Sequence, residues 1–449
     1  MRIFKRTTKQ MVCTFASVMT LLNLPACGCS EKKRNDEDAA VDAAADGEMD
    51  AMTDAWADGS VEAGRRDADP PDAFVFHDCM APLEVKELKE GELYQVPIVR
   101  EQGASHGGFA WNGRYLIQSD KRCEWPEYDV VLDLYGVDTE TMEERLLVGR
   151  KRFQLQPSIY ESSFVYCDTS FLDETDPDNN RRSEIMLYDL ITQEETRLTD
   201  SNEGKTQPRF NGTHVLYMNF HYTGEYESFE TLRLLDISTG EEIVLATEDE
   251  GITQSNLWDI SPEYAAWRAV PEGETGWDIF LHHIPTGQTS RLNTPGEHIL
   301  NFYLSGTRIA WTEKRSGAWA VYSRVLPSGS EEIVGIGEWD KVLRGVEGLL
   351  VSWFDYERSE CNFPCQSYDI VSKDLGSGVT RRISSSTGLW GGTTIRNCRW
   401  LLYFENDSSV SFRAYIWDVV KAGILDENCN LIPCDPDNEE CAVLEWRGP

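Results

Sequence analysis

The sequence predicts an all-β fold: a single β-propeller of about seven four-stranded blades, preceded by a disordered acidic tether. Three observations lead there. A turn motif recurs along the chain, with a Thr or Ser at positions 141, 192, 239, 286, 328 and 377. Each copy joins two apolar, strand-like runs, and a second pair of short strands follows, which makes four strands in a period of about 40–50 residues. Residues 31–73, by contrast, are mostly Asp, Ala and Glu, with almost no large apolar residue apart from Trp56.

The chain opens with Arg2, Lys5, Arg6 and Lys9, an apolar run from Met11 to Leu24, and then small residues around a cysteine. That order is a secretory signal over residues 1–26, too short to span a bilayer as a permanent helix. Leu24-Pro25-Ala26-Cys27 resembles the lipobox of bacterial lipoproteins. The resemblance implies that Cys27 becomes the acylated, palmitate-bearing N-terminus and anchors the chain in the cell envelope. In that family Asp after the cysteine favours the inner membrane. Gly28 stands there instead, so the outer membrane or cell surface is the expected address.

From residue 27 to 80 the chain cannot bury enough apolar surface to offset the entropy of ordering, and its like charges extend it. Ala and Glu would suit a helix, but the many Asp residues and Gly47, Gly59 and Gly64 oppose one. The propeller is expected over 84–425, and a Cys-rich acidic tail over 426–449. A net charge of −35 repels phosphate backbones and anionic lipid alike, so no nucleic-acid partner is expected, and membrane contact only through the lipid.

The repeat is legible in detail. Turns stand at Asp138-Thr139-Glu140-Thr141, Asp189-Leu190-Ile191-Thr192, Asp236-Ile237-Ser238-Thr239-Gly240, His283-Ile284-Pro285-Thr286-Gly287, Val325-Leu326-Pro327-Ser328-Gly329 and Asp374-Leu375-Gly376-Ser377-Gly378. Their small and polar residues supply the backbone freedom and side-chain acceptors of tight hairpins. Seven apolar inner strands follow one another, near Ile117, Val165, Leu216, Ala266, Ala310, Leu350 and Leu402. The last blade lacks a strand, while Leu93 to Val99 has a strand pattern and no blade. Pairing that segment with Ala414 to Trp417 completes the seventh blade and removes both open sheet edges.

Tyr188-Asp189-Leu190-Ile191-Thr192, then Arg197-Leu198-Thr199, then Gln207-Pro208-Arg209-Phe210-Asn211-Gly212 resemble the TolB-type propeller repeat. Ile260-Ser261-Pro262-Glu263 and Trp111-Asn112-Gly113 keep parts of it, and the likeness covers about Gly108 to Trp417. It implies the fold and little about function, because the repeat consists of turn and core residues.

Catalytic chemistry in such a fold would sit where each inner strand begins, at the mouth of the central channel. His106, Gln156, Gln207 and Asn301 fall there, with His298 beside them, while Leu257, Leu343 and Gly392 break the ring. The oligogalacturonate lyase family, TolB-like in fold, holds a metal there on His and Gln. Solvated polar residues lining a channel are the competing reading. No Gly-x-Ser-x-Gly elbow follows the propeller, as a peptidase of the prolyl-peptidase type would need. No catalytic residue is assigned.

Asp173, Asp176, Asp178 and Asn180 form an acidic stretch with the composition of a calcium loop but without EF-hand spacing. Calcium is therefore the one cofactor the sequence admits. Cys123, Cys167, Cys361, Cys365, Cys429, Cys434 and Cys441 are disulfide candidates in an oxidising compartment, with connectivity open. The expected function is a tethered, non-catalytic module that binds an envelope protein or glycan; the alternative is a metal-dependent, lyase-like enzyme acting on extracellular polysaccharide.

Overall fold

The computed structural model describes residues 82–445 other than 90–91, 97–107, 123–131, 151–152, 171–182, 202, 223–227, 253–256, 272, 275, 293–297, 316, 357–366, 388, 408–410 and 434–443. Cys27 and the expected tether lie outside these residues, as do His106, Asp173, Asp176, Asp178, Asn180, Cys123, Cys361, Cys365, Cys434 and Cys441.

Two strands come first, β1 (Lys86–Lys89) and β2 (Leu93–Val96). Blade 1 is β3 (Phe109–Trp111), β4 (Tyr115–Asp120), β5 (Asp133–Asp138) and β6 (Glu143–Val148). Blade 2 is β7 (Gln154–Tyr160), β8 (Ser163–Asp168), β9 (Glu184–Asp189) and β10 (Glu195–Arg197). Blade 3 is β11 (Gly204–Phe210), β12 (His214–Tyr222), β13 (Ser228–Asp236) and β14 (Glu242–Thr247). Blade 4 is β15 (Trp258–Ile260), β16 (Tyr264–Ala269), β17 (Asp278–His283) and β18 (Gln288–Arg291). Blade 5 is β19 (His298–Ser305), β20 (Arg308–Arg315), β21 (Ala318–Val325) and β22 (Glu332–Gly335). Blade 6 is β23 (Lys341–Glu347), β24 (Leu350–Asp355), β25 (Ser367–Asp374) and β26 (Thr380–Thr387). Blade 7 is β27 (Leu389–Arg396), β28 (Trp400–Asp407) and β29 (Ser411–Asp418), and a short β30 (Leu444–Glu445) runs parallel to β26 on the outer edge of blade 6.

The seventh blade takes its missing strand from the beginning of the chain. β2 pairs antiparallel with β29, setting Leu93 opposite Trp417 and Val96 opposite Ala414, and β1 lies outside β2. This is the ring closure expected from the alternation around Leu93. Innermost strands touch in succession from β3 through β7, β11, β15, β19 and β23 to β27.

Second strands are buried on both faces because a neighbouring blade covers each side. In β16 all of Tyr264–Ala269 are buried, whereas β18 at the rim is exposed along most of its length. Among the described residues the buried apolar side chains form seven clusters, and each bridges one seam. Ile117 with Tyr166 belongs to the seam of blades 1 and 2, Cys167 with Tyr217 to that of blades 2 and 3, and Met218 with Trp267 to that of blades 3 and 4. Ile279 with Trp311, Val321 with Trp353, and Phe354 with Trp417 mark the next three. Trp111 and Leu116 of blade 1 meet Trp400, Leu402 and Ile416 of blade 7, so the circle closes on packed side chains.

The recurrent Asp and Thr are turn builders. Asp189 Oδ1 accepts the N–H groups of Ile191 and Thr192, and Thr192 Oγ1 accepts that of Glu194. Asp236 with Thr239 and Asp374 with Ser377 repeat the pattern. The seventh copy is Asp418, whose Oδ1 accepts from Val420 and Lys421.

Part of the expected C-terminal tail packs on the propeller. Leu425 and Leu431 are buried among residues of blades 6 and 7, and Arg381 of β26 donates to the carbonyls of Gly423, Ile424 and Ile432. Cys429 is bridged to Cys398 in the turn between β27 and β28. Cys167, expected among the disulfide candidates, is instead a free thiol. It faces the apolar seam between blades 2 and 3, where burial pushes its pKa up to about 12 and leaves it unreactive as a nucleophile.

Candidate functional site: the long-connection face

The two ends of the propeller differ in their connections. First and second strands are joined by turns of two or three residues, such as 161–162, 211–213 and 306–307. At the opposite end, second and third strands are joined through residues 121–132 in blade 1, 169–183 in blade 2, 270–277 in blade 4 and 356–366 in blade 6. Inner strands also begin at that end. Connections between strands are where recognition elements are commonly found, so this face carries the candidate site.

Of the residues expected at the channel mouth, Gln156, Gln207, Asn301 and His298 are described. Gln156 has a φ of 54° and Gln207 a φ of 51°, both in the left-handed region and both followed by proline. The ladder shifts at the same two places, between Leu155 and Ser158 and between Thr206 and Arg209. Counting back from the turns puts Gly108, with a φ of 101°, at the equivalent position of blade 1. The register therefore replaces His106 by Gly108 as the blade-1 counterpart. Glycine takes this backbone freely, whereas Gln156 and Gln207 must be held in it.

The hold on Gln156 is its own side chain. Its Oε1 accepts the Thr206 hydroxyl and the Gln207 backbone N–H, each at 2.7 Å, and so fastens blade 2 to blade 3. The Gln207 carbonyl accepts Trp258 Nε1–H at 2.9 Å, carrying the link to blade 4. Asn301 Nδ2 donates to the Leu343 carbonyl at 2.7 Å, from blade 5 to blade 6. Ser119 to Gln154, and Arg268 to Ile299 and Leu300, do the same at two more seams. The structure thus brings Gln156 and Gln207 together as inter-blade staples, keeps Asn301 at a different seam, and leaves His298 exposed at the start of β19.

Around this end several buried carboxylates are paired. Arg122 spans Asp120 at 2.9 Å and Glu144 at 2.7 Å while lying over the Tyr135 ring. Glu184 meets Arg197 at 3.0 Å and Lys205 at 3.2 Å, Asp168 meets Arg150 at 2.9 Å, and Arg315 closes on Glu313. Asp133, fully buried, has its pKa raised to about 7, by desolvation first and by Asp120 in part, against the Arg150 backbone N–H and the Arg122 guanidinium. The sequence hid the pairs of Glu144, Glu184 and Asp168 because their partners lie far along the chain, whereas Asp120 with Arg122 and Glu313 with Arg315 stand two residues apart. Cys398 was missed for the same reason, since nothing local marks it as the partner of Cys429.

Among the described residues no group of three or more His, Cys, Asp or Glu side chains converges as metal ligands would, and no helix is long and apolar enough to cross a membrane. No protein-family model matches the chain, and no curated protein matches it. Solved structures do. The β-propeller domain of the Trilobed protease from Pyrococcus furiosus aligns at 14% identity and a TM-score of 0.50, over 71% of this chain and 94% of that one. An oligogalacturonate lyase in complex with manganese aligns at 12% identity and a TM-score of 0.50, over 78% of this chain and 96% of that one. TolB from Acinetobacter baumannii aligns at 17% identity with a TM-score of 0.37, over 56% of this chain, and this chain spans 58% of TolB's length. Likeness at these identities shows one thing about this chain, its seven-bladed β-propeller fold.

Proposed function

We propose that this protein is a lipid-anchored, non-catalytic binding module of the cell envelope, whose long-connection face holds an envelope protein or glycan. The observation that carries the reading is how the channel-mouth amides are used. Gln156 Oε1, the oxygen that a lyase-like site would need for a metal, is spent on bonds between blades 2 and 3, and Asn301 Nδ2 on a bond between blades 5 and 6. A rigid ring with long connections at one end is the arrangement in which loops recognise and the sheet only positions them. Cys27 supplies the anchor, the acidic residues after it supply reach, and the outer membrane or cell surface is the proposed location.

The test uses full-length protein expressed with its leader. Radiolabelled palmitate should enter the wild type and not Cys27→Ser, and purified protein should carry no stoichiometric transition metal. Unlabelled wild type, or one metal ion per chain accompanied by cleavage of acidic polysaccharide, would overturn the anchor and the binding role respectively.

A further inference from the structure

We infer that Arg344, on the inner strand of blade 6, receives an acidic side chain, Asp or Glu, from a protein partner. This rests on the reading that the long-connection face holds the partner, and it names the chemistry of one contact there.

Arg344 fills in blade 6 the place that Gln156 fills in blade 2. The inner ladder shifts at both, between Leu155 and Ser158 in β7 and between Leu343 and Gly345 in β23. Both side chains lie against the last residue but one of the second strand. The Cys167 thiol, one residue before Asp168, donates to Gln156 Oε1 at 3.8 Å, and the Phe354 ring, one residue before Asp355, lies 3.9 Å under the Arg344 guanidinium. Elsewhere this register fastens a seam: Gln156 bonds to blade 3, and Asn301, beside the ladder shift of blade 5, bonds to blade 6. Arg344 fastens nothing. Among the described residues it makes no hydrogen bond or ion pair, and its Nε is buried without a partner.

An arginine without an anion is out of place in a chain with 77 acidic and 42 basic residues. Arg122 lies over Tyr135 and pairs with Asp120 and Glu144, and Arg315 lies over Tyr322 and pairs with Glu313 and Glu331. Phe354 gives Arg344 the same platform, but carboxylates of its neighbourhood are taken: Asp355 by Lys341 at 2.6 Å, Asp369 by Arg382 at 3.5 Å and Glu347 by Arg396 at 2.6 Å. The cation–π contact offsets part of the cost of desolvating the charge and fixes the plane of the guanidinium. Arg344 is partly exposed, and of its three side-chain nitrogens only Nε is cut off from water. The outer two can meet a planar carboxylate with two parallel hydrogen bonds. Phe354 beneath it, and Leu343 and Gly345 on either side, carry no polar side chain to meet sugar hydroxyls, so an acid on an alkyl stem suits the place better than a uronate.

Phenylglyoxal modification of the full-length protein in detergent, read at each arginine by peptide mass spectrometry, tests this. Arg344 should react in the native protein, and N-acetyl-glutamate α-amide at tens of millimolar should slow that reaction about fivefold. The glutamine analogue and glucuronate should leave it unchanged, and Arg114 on the tight-turn face should gain no protection. Arg344→Gln should melt no lower than the wild type, because no hydrogen bond or ion pair of the fold is lost with it. Failure of Arg344 to react, or equal protection by the glutamate and glutamine compounds, would overturn the inference. A lowered melting temperature would overturn it too, by showing that the guanidinium is a structural prop over Phe354. Protection by glucuronate equal to that by the glutamate compound would overturn a protein side chain as the source of the carboxylate. Cys27 acylation and the metal content of the protein are untouched by any of these outcomes, so the binding role itself stands or falls separately.

Discussion

The side-chain oxygen of Gln156 accepts the backbone N–H of Gln207 at 2.7 Å, across the boundary between blades 2 and 3. Two residues aligned in the sequence as channel lining are therefore bonded to one another. Replacing Gln156 with Ala leaves the Gln207 N–H and the Thr206 hydroxyl without this acceptor and releases a backbone held at positive φ. Denaturant unfolding of Gln156→Ala should show a loss of about 1–3 kcal/mol. An unchanged midpoint would mean that the staple does not hold the blades.

Ring closure depends on β2. Leu93 and Val96 are buried in the two seams that flank blade 7. A chain starting at residue 82 should remain soluble and cooperative, and one starting at residue 97 should aggregate, because β29 is left as an open edge beside exposed apolar surface. Equal solubility and equal melting of the two would contradict closure by this strand.

The described cysteines separate into two kinds. Cys398→Ser or Cys429→Ser opens a bridge spanning 31 residues and should cost about 3 kcal/mol. Cys167 should resist alkylation in the native protein and react once the chain is unfolded without reductant, as read by peptide mass spectrometry. Native labelling of Cys167, or its recovery in a disulfide, would contradict its placement in the seam.

Asp133 makes stability depend on pH in the direction opposite to most carboxylates. Its folded pKa of about 7 lies above the unfolded value near 3.9, so between these limits the folded chain keeps a proton that the unfolded chain has lost. The contribution is full below about pH 4 and is lost as pH rises through about 7. Asp133→Asn should therefore stabilise the protein by about 2 kcal/mol at pH 8 and change it little at pH 4, measured by denaturant unfolding. A gain equal at both pH values would show that ionisation is not the cause.

Local chemistry made the blades legible. The Asp and Thr of each turn act on residues two or three positions away, so Asp189 with Thr192 is visible in a window of four residues. The alternation around Leu93 marked the closing strand for the same reason. The site was less legible, because each of its bonds joins residues far apart in sequence. Gln156 to Gln207 spans 51 positions and Asn301 to Leu343 spans 42. Gly108 rather than His106 stands in line with Gln207, four residues before its turn in both blades, so this position was legible in the sequence. Cys167, one of the disulfide candidates, lies in the apolar seam, a placement that nothing in its local sequence distinguishes from that of a bridged cysteine.

The partner is proposed to be held by the face bearing the long connections. A photo-crosslinking amino acid placed at His298, exposed at that face, or at Ile191, 73% exposed in a tight turn at the other, tests it in intact cells of the native host. Irradiation should give a discrete adduct of higher mass from position 298 and none from position 191. Adducts from position 191 alone would place the partner on the tight-turn face and contradict the claim.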